Sequence, residues 1–158
     1  IVETCKELEQ RGAEVVGMNC FRGPVTMLPY LKEIRKQVKC HVAALPIPIR
    51  TNKKYTTWFN LPDRNDCGCG APHGRTFPTA LEPLMCNRYE IGQFAKDAYK
   101  MGINYLGVCC LGNPMLVREV AHAVGLTVPA SKYREKMENH FMYGENIPKH
   151  MKEYGNKA

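Results

Sequence analysis

The chain has 158 residues, 44% of them hydrophobic, which is enough for one ordinary globular domain with a core. No apolar run approaches the roughly 18 residues that a membrane-spanning helix needs, so we predict no membrane partner. The net charge of +7 comes from lysine and arginine residues scattered along the chain, without an arginine stripe interleaved with aromatic residues. This pattern favours a solvated basic surface over a basic nucleic-acid-binding module, and we predict no nucleic-acid partner.

The eight cysteines are also compatible with a disulfide scaffold. Most of them lie inside or at the ends of apolar periodic segments, unlike the loop-rich frame of a small secreted protein. The sequence opens at Ile1 within a helix-like pattern, with neither an initiator methionine nor a charged-then-apolar leader. We therefore predict reduced thiols in a cytoplasmic protein, and a sequence that is a piece of something longer.

The first half of the chain alternates between helical and strand patterns. Two helices and two strands are predicted, in this order: helix 2–11, strand 15–19, helix 26–38 and strand 41–49. Gly12 suits the residue that ends the first helix, and Pro29 is tolerated in the second helix because it falls in the first turn. Prolines at 46 and 48 restrict the second strand and predict that its far end frays.

The second half begins with an irregular stretch and then repeats the alternation. Residues 51–83 follow no regular pattern, and a loop of this length is typical of a functional, disordered or lid-forming segment. Asn87 and Glu90 form a capping-box pattern, and Asn113-Pro114 combines a cap with proline at the first helical position. The predicted elements are a helix over 88–101 that buries Tyr99, a buried strand over 103–108, and a helix over 114–124 with Val117 facing inward.

Cysteines follow two of the predicted strands, at the point where each strand ends. Cys20 comes directly after the first strand, and Cys109-Cys110 close the third, just before Gly112. The helix–strand alternation predicts parallel α/β units, whose strands all end at the same rim. Three thiolates could therefore meet at one ion, and zinc takes sulfur ligands at about 2.3 Å. Alternatively, these cysteines are small apolar residues that fill the strand ends.

The segments around these cysteines resemble a known enzyme family. Gly17-Met18-Asn19-Cys20 and Gly107-Val108-Cys109-Cys110 are similar to the G-x-N-C and G-G-C-C motifs of the zinc-dependent homocysteine S-methyltransferases. Residues 81–99, 102–110 and 129–131 look most like the betaine–homocysteine S-methyltransferases. The resemblance covers residues 1–131 in order, and the tail faintly.

The resemblance implies an α/β fold made of the last three βα units of a TIM (β/α)8 barrel over residues 1–128. Residues 129–158 would be a C-terminal arm, through which a homo-oligomer could form. The implied reaction moves a methyl group from betaine, or a related onium donor, to homocysteine and yields methionine. The implied zinc ligands are Cys20, Cys109 and Cys110. Asn19 would contact these ligands and hold them in position, and no catalytic residue beyond the ligands is implied. The aromatic residues that bind betaine in the family come mainly from earlier strands, which this sequence lacks.

Two departures from the family pattern bear on the site. Val108 stands where the family usually has a second glycine, and Leu111 stands where it has the glycine after the cysteines. A bulkier wall at Val108 could crowd the thiols, while Gly112 could take over the turn. Three strands without the other five would also leave two unpaired edges and an apolar face. The alternative is therefore a non-catalytic zinc-binding remnant, or a half-barrel that a partner completes.

The other candidate residues are predicted to be structural. Cys67, Cys69 and His73 have the spacing of half a zinc knuckle, but no matching half follows elsewhere, so we predict a loop without a metal. Cys5, Cys40 and Cys86 are predicted to be buried core thiols, and His41 and His122 to be hydrogen-bonded structural residues rather than catalysts. Trp58 is predicted to be either a packing anchor or a lid residue.

Overall fold

The computed structural model describes residues 1–62, 74–140 and 144–145. Cys67, Cys69 and His73 lie outside these described residues. The chain divides into two compact units, residues 1–127 and 128–158. The first unit contains, in order, α1 (Val2–Gln10), β1 (Val15–Asn19), α2 (Pro24–Gln37), β2 (His41–Leu45), α3 (Arg88–Lys100), β3 (Tyr105–Leu106) and α4 (Pro114–Ala123). In the second unit, the described regular elements are short 3-10 turns at Pro129–Tyr133 and Met137–Asn139.

The three strands form one parallel sheet in the order β1-β2-β3. The register pairs Val15 with His41 at one end of β1 and Asn19 with Leu45 at the other. β3 pairs with β2 through two residues, Tyr105 and Leu106. The predicted α/β class is confirmed, and the carboxyl ends of all three strands meet at one rim of the sheet.

The helices begin where local capping signals place them. The Asn87 side chain accepts the backbone N–H groups of Tyr89 and Glu90, and the Glu90 carboxylate accepts the Asn87 N–H at 2.7 Å. This reciprocal capping box satisfies N–H groups that have no partner within α3. At α4 the capping bond runs in one direction only: the Asn113 side chain accepts the Leu116 N–H at 3.0 Å.

One face of the sheet carries the core. The strands contribute Val16, Val42 and Ala44 to this core. They are buried together with residues of α1, α2 and α3, namely Cys5, Leu31, Ile34, Phe94 and Ala98. Cys86 is buried in a separate cluster between α3 and α4. Cys5 and Cys86 are therefore core residues, as predicted. The opposite face of the sheet is open, because Val15 and Tyr105 are 51% and 59% exposed.

Several predicted boundaries and orientations were wrong. β2 ends at Leu45, four residues before the predicted end at residue 49 and just before Pro46. α2 begins at Pro24 rather than at residue 26, so Pro29 lies in its second turn, on the exposed side. β3 spans two residues rather than six and is half-exposed, because an edge strand has a neighbour on one side only. Tyr99 and Val117 are 59% and 52% exposed. In α4 the inward face is rotated by one residue, and Leu116 and Glu119 are buried instead.

Within the described residues, the structure contains no helix that is long and apolar enough to cross a bilayer.

Candidate metal centre

Three thiols meet at the rim where the parallel strands end. The Sγ atom of Cys110 lies 3.6 Å from that of Cys109 and 3.8 Å from that of Cys20, and all three sulfur atoms lie within 4.8 Å of one another. In the part of the chain that the structure describes, this is the only group of three or more His, Cys, Asp or Glu side chains close enough to share an ion. The structure thus brings together the three cysteines that the sequence singled out.

The central strand positions both cysteine segments. The Cys20 N–H donates to the Leu45 carbonyl at 2.9 Å, and the Cys109 N–H donates to the Pro46 carbonyl at 2.8 Å. Leu45 is the last residue of β2, and Pro46 follows it. Because β2 lies between β1 and β3, its final carbonyls extend the sheet ladder to both neighbours. The convergence of residues 90 positions apart therefore follows from the parallel register.

Tight turns follow β1 and β3 and direct the thiols toward one point. Cys20, Phe21 and Leu111 have φ angles of 62°, 60° and 64°, in the left-handed region that non-glycine residues rarely adopt. The Arg22 N–H donates to the Cys20 carbonyl at 2.6 Å, and the Gly112 N–H donates to the Cys109 carbonyl at 2.9 Å. Such backbone strain clusters at functional sites, where the surrounding structure holds it in place.

The comparison with known proteins agrees with this geometry: residues 1–124 match the family described as homocysteine S-methyltransferase. The chain belongs to the homocysteine S-methyltransferase family. It is 31% identical over 156 residues to betaine–homocysteine S-methyltransferase 1 of Danio rerio, covering 95% of this chain and 35% of that relative. The corresponding enzyme of Xenopus tropicalis is 30% identical over 160 residues, with the same coverage.

A third relative has a different methyl donor in its name. The S-methylmethionine–homocysteine S-methyltransferase of Mus musculus is 29% identical over 158 residues, covering 95% of this chain and 39% of that relative. The chain thus spans little more than a third of the length of these three relatives.

The two departures from the family motif have different consequences. Val108 packs against the cluster between α3 and α4, so its bulk is directed toward the helices, and the thiols still converge. The left-handed residue of the turn is Leu111 rather than Gly112. Gly112 is required for space instead, because an added Cβ would lie 2.6 Å from Val108 Cγ2 and 2.7 Å from the Cys109 carbonyl oxygen.

The first motif glycine also has a steric reason. A Cβ at Gly17 would lie 2.0 Å from the Ala43 carbonyl oxygen, so β1 can approach β2 this closely only with glycine at that position. Asn19, two residues later, is exposed at the end of β1, next to Cys20. Its supporting role at the thiols stays a prediction.

The three thiols do not share one electrostatic environment. Burial, the largest cause, together with the neighbouring thiols raises the pKa of Cys109 to about 11. The Cys109 and Cys20 thiols donate hydrogen bonds to Cys110 and lower the pKa of that thiol. Cys110 therefore becomes a thiolate before Cys109, and the positive charge of a bound metal ion would favour deprotonation of both.

The donor set fits zinc. A tetrahedron with zinc–sulfur bonds of about 2.3 Å has edges of about 3.8 Å. The Sγ–Sγ distances of 3.6 and 3.8 Å in the structure agree with two of those edges. No fourth His, Cys, Asp or Glu among the described residues joins the group, so the protein ligands seen here occupy three positions. An arrangement of three protein ligands and one open position is typical of a catalytic zinc site.

An aromatic cluster next to Cys20 was not predicted. The Phe59 ring stacks on Trp58 with a centroid distance of 4.1 Å, and it also lies 5.3 Å from the Phe21 ring. Phe77 meets Trp58 edge-on at 4.6 Å, and Cys20 packs against the same hydrophobic cluster. Trp58, predicted to be either a packing anchor or a lid residue, packs in this cluster. The sequence could have indicated this cluster, since three of its aromatic residues, Trp58, Phe59 and Phe77, all fall in the long irregular segment.

Among the histidines considered from the sequence, neither joins the thiols. His41 is exposed at the start of β2, and His122 is half-buried in the last turn of α4.

Proposed function

We propose that the protein supplies the zinc-binding part of a homocysteine S-methyltransferase. The observation that carries the proposal is the convergence of three thiols from two strand ends, without a fourth ligand among the described residues. Membership of the homocysteine S-methyltransferase family supports it independently. The reaction moves a methyl group from betaine, or a related onium donor, to the sulfur of homocysteine and yields methionine. The need for reduced thiols supports a cytoplasmic location for this activity.

Cys20, Cys109 and Cys110 are proposed as the ligands, and Asn19 as a residue that supports them. Zinc, when bound, would keep the sulfur of homocysteine deprotonated at neutral pH, so that this sulfur remains a nucleophile. Three cysteine thiolates and a bound Zn²⁺ would together carry a net charge of about −1, which would keep the site rich in electrons. The β2 carbonyls of Leu45 and Pro46 fix the backbone of two ligands, so the site needs little rearrangement to accept the ion.

The methyl donor is proposed to be positively charged. The names of the relatives include betaine and S-methylmethionine, which carry the methyl group on a positive nitrogen and a positive sulfur. Attack by the homocysteine thiolate forms a carbon–sulfur bond, breaks the bond from the methyl group to the onium atom, and returns that pair of electrons to the donor. The donor loses its positive charge in this step and leaves as a neutral amine or thioether, while the sulfur of homocysteine becomes the thioether of methionine.

The fold of the complete enzyme is proposed to be a TIM (β/α)8 barrel. Residues 1–128 would be its last three βα units, and residues 129–158 an arm that supports a homo-oligomer. The parallel order β1-β2-β3 and the exposed face around Val15 and Tyr105 support this proposal. The missing strands would come from a longer chain or from a partner. The same open face favours the second candidate function, a zinc-binding half-barrel that is inactive until a partner completes it.

The zinc and activity measurements test the first proposal. We expect about one zinc per chain in the full-length gene product, and loss of both zinc and methionine formation in Cys110→Ala. Cys40→Ala is the matched control, because Cys40 is a half-buried thiol outside the cluster. Unchanged zinc content and activity in Cys110→Ala would refute the assigned role.

A size measurement on residues 1–158 separates the two candidates. If the half-barrel proposal holds, this chain alone binds zinc, forms no methionine and assembles into larger species. A stable, monomeric and active chain would exclude it. Removing residues 129–158 should reduce the assembly if the arm forms the oligomer contacts.

A further inference from the structure

A cavity of about 400 Å³ lies between the first turns of α2 and the helix α3. Its apolar wall is formed by Val25 and Leu28 from α2, by Ile49, and by Phe94 from α3. Ile49 and Phe94 are fully buried, so core packing holds this wall in place. The volume falls in the range of about 300–1,000 Å³ that small-molecule sites occupy, and such sites combine apolar walls with few polar groups. None of the three clustered cysteines lines the cavity.

The positive charge at the cavity is already neutralised within the protein. Arg50 Nε donates to Glu90 Oε1 at 2.7 Å, and Arg50 Nη2 donates to Glu90 Oε2 at 2.8 Å. The remaining nitrogen, Nη1, donates to the Pro83 carbonyl at 3.3 Å. The hydrogen bonds from Arg50 lower the pKa of Glu90, so both partners stay charged near neutral pH. An anionic ligand would have to displace Glu90 from Arg50.

A second carboxylate at the cavity has no such partner. Asp97 is half-buried and accepts a hydrogen bond from the Gln93 side chain at 2.9 Å. No lysine or arginine of the described residues lies within ion-pair distance of Asp97. The lining residues carry one positive charge, on Arg50, and two negative charges, on Glu90 and Asp97, which leaves a net charge of −1. A half-buried carboxylate attracts a cation more strongly than a fully exposed one does.

We propose that this cavity is a second binding site, for a small organic cation that has an ammonium head and an apolar body. The head would lie against Asp97, and the body against Val25, Leu28 and Phe94. This site depends neither on the thiols nor on methyl transfer, so the Cys110→Ala variant should bind the cation as the unaltered protein does.

Calorimetric titration of the intact protein with three probes of similar shape tests the proposal. The probes are 2-phenylethylammonium, the neutral 2-phenylethanol and the anionic 3-phenylpropionate. We expect the ammonium probe to bind about three- to tenfold more tightly than the alcohol, and the anion to bind most weakly. Asp97→Asn should remove the preference for the ammonium probe over the alcohol. The matched control is Glu33→Gln, an exposed acidic residue of α2 that pairs with Lys36 and does not line the cavity.

A second variant tests the position of the site without altering charge. Val25 is 68% exposed at the cavity, so Val25→Trp should fill the opening without disturbing the core. We expect this variant to keep its melting temperature and to bind both the ammonium probe and the alcohol at least about tenfold more weakly. Equal binding of the three probes, no binding of any probe, or ammonium binding that neither variant changes would overturn the proposal.

Discussion

Cys110, which follows β3, and Cys86, which lies between α3 and α4, are the same residue type in opposite environments. Cys86 is 7% exposed, and burial, together with the charge of Glu90, raises its pKa to about 12. Cys110 is exposed and accepts hydrogen bonds from two neighbouring thiols, which lower its pKa. The difference teaches that the neighbours of a cysteine decide whether it is available to a metal.

The largest expected difference between these thiols is in alkylation rate. In the metal-free protein at about pH 8, a thiol with a pKa of about 12 is a thiolate for only about one part in 10,000 of the time. We expect iodoacetamide to modify Cys110 first and Cys86 about a thousandfold more slowly, as followed by peptide mass spectrometry. Added zinc should protect Cys110 and leave the rate at Cys86 unchanged. Similar rates at Cys86 and Cys110 without zinc would contradict this comparison.

The same shift at Cys86 predicts how metal-free stability depends on pH. Burial raises the pKa of the Cys86 thiol from 9.0 to about 12 in the folded state. The contribution of this thiol to the free energy of unfolding is therefore fully present below about pH 9 and is lost as pH rises toward 12. Three pKa units correspond to about 4 kcal/mol. Urea denaturation between about pH 8 and 11 should show a steep loss of unfolding free energy. The loss should be smaller in Cys86→Ala, and equal slopes in the two proteins would count against burial as the cause.

Local sequence signals predicted the elements that depend on local interactions. β1 has the bounds that the sequence predicts, and the capping box at Asn87 fixes the start of α3. β3 could not be predicted in the same way, because its length depends on pairing with β2, a contact between distant parts of the chain. The start of α2 was missed although Pro24 suits the first helical position.

The sequence predicted which cysteines converge at the rim of the sheet, but it did not predict the conformation of the turns that carry them. Parallel strands end at one rim, so cysteines after two strands could be expected to meet there. The sequence showed that Val108 is bulky, but the direction of its side chain depends on the helices that it packs against. A leucine in a left-handed conformation at position 111 was also not predictable, since glycine is the usual residue there.

Gly112→Ala tests whether the corner tolerates any added volume. The new Cβ would lie 2.6 Å from Val108 Cγ2 and 2.7 Å from the Cys109 carbonyl oxygen, so either the turn or the side chain must move. We expect a loss of about 1–3 kcal/mol in unfolding free energy and weaker zinc binding. Gly92→Ala in α3 is the matched control. Its Cβ would make ordinary contacts, the nearest at 3.4 Å, and helix propensity favours alanine by about 1 kcal/mol. A harmless Gly112→Ala would mean that the thiol corner is not tightly packed.

The smallest effect concerns the strained residue after the cysteines. Leu111 is 47% exposed and has a φ of 64°, a conformation that costs an ordinary residue about 1–2 kcal/mol. Glycine avoids that cost but loses about 0.5–1 kcal/mol through backbone entropy, so Leu111→Gly should stabilise the fold by about 0.5–1 kcal/mol in chemical denaturation. Leu126→Gly is the control, because Leu126 is exposed but does not have a positive φ, and it should bring no stabilisation.

If zinc affinity is unchanged while stability rises, Leu111 strains the turn without helping the thiols. Weaker zinc binding in Leu111→Gly would show instead that the leucine limits the conformations of the turn and keeps Cys109 and Cys110 aligned. A loss of stability in this variant would contradict the assigned strain.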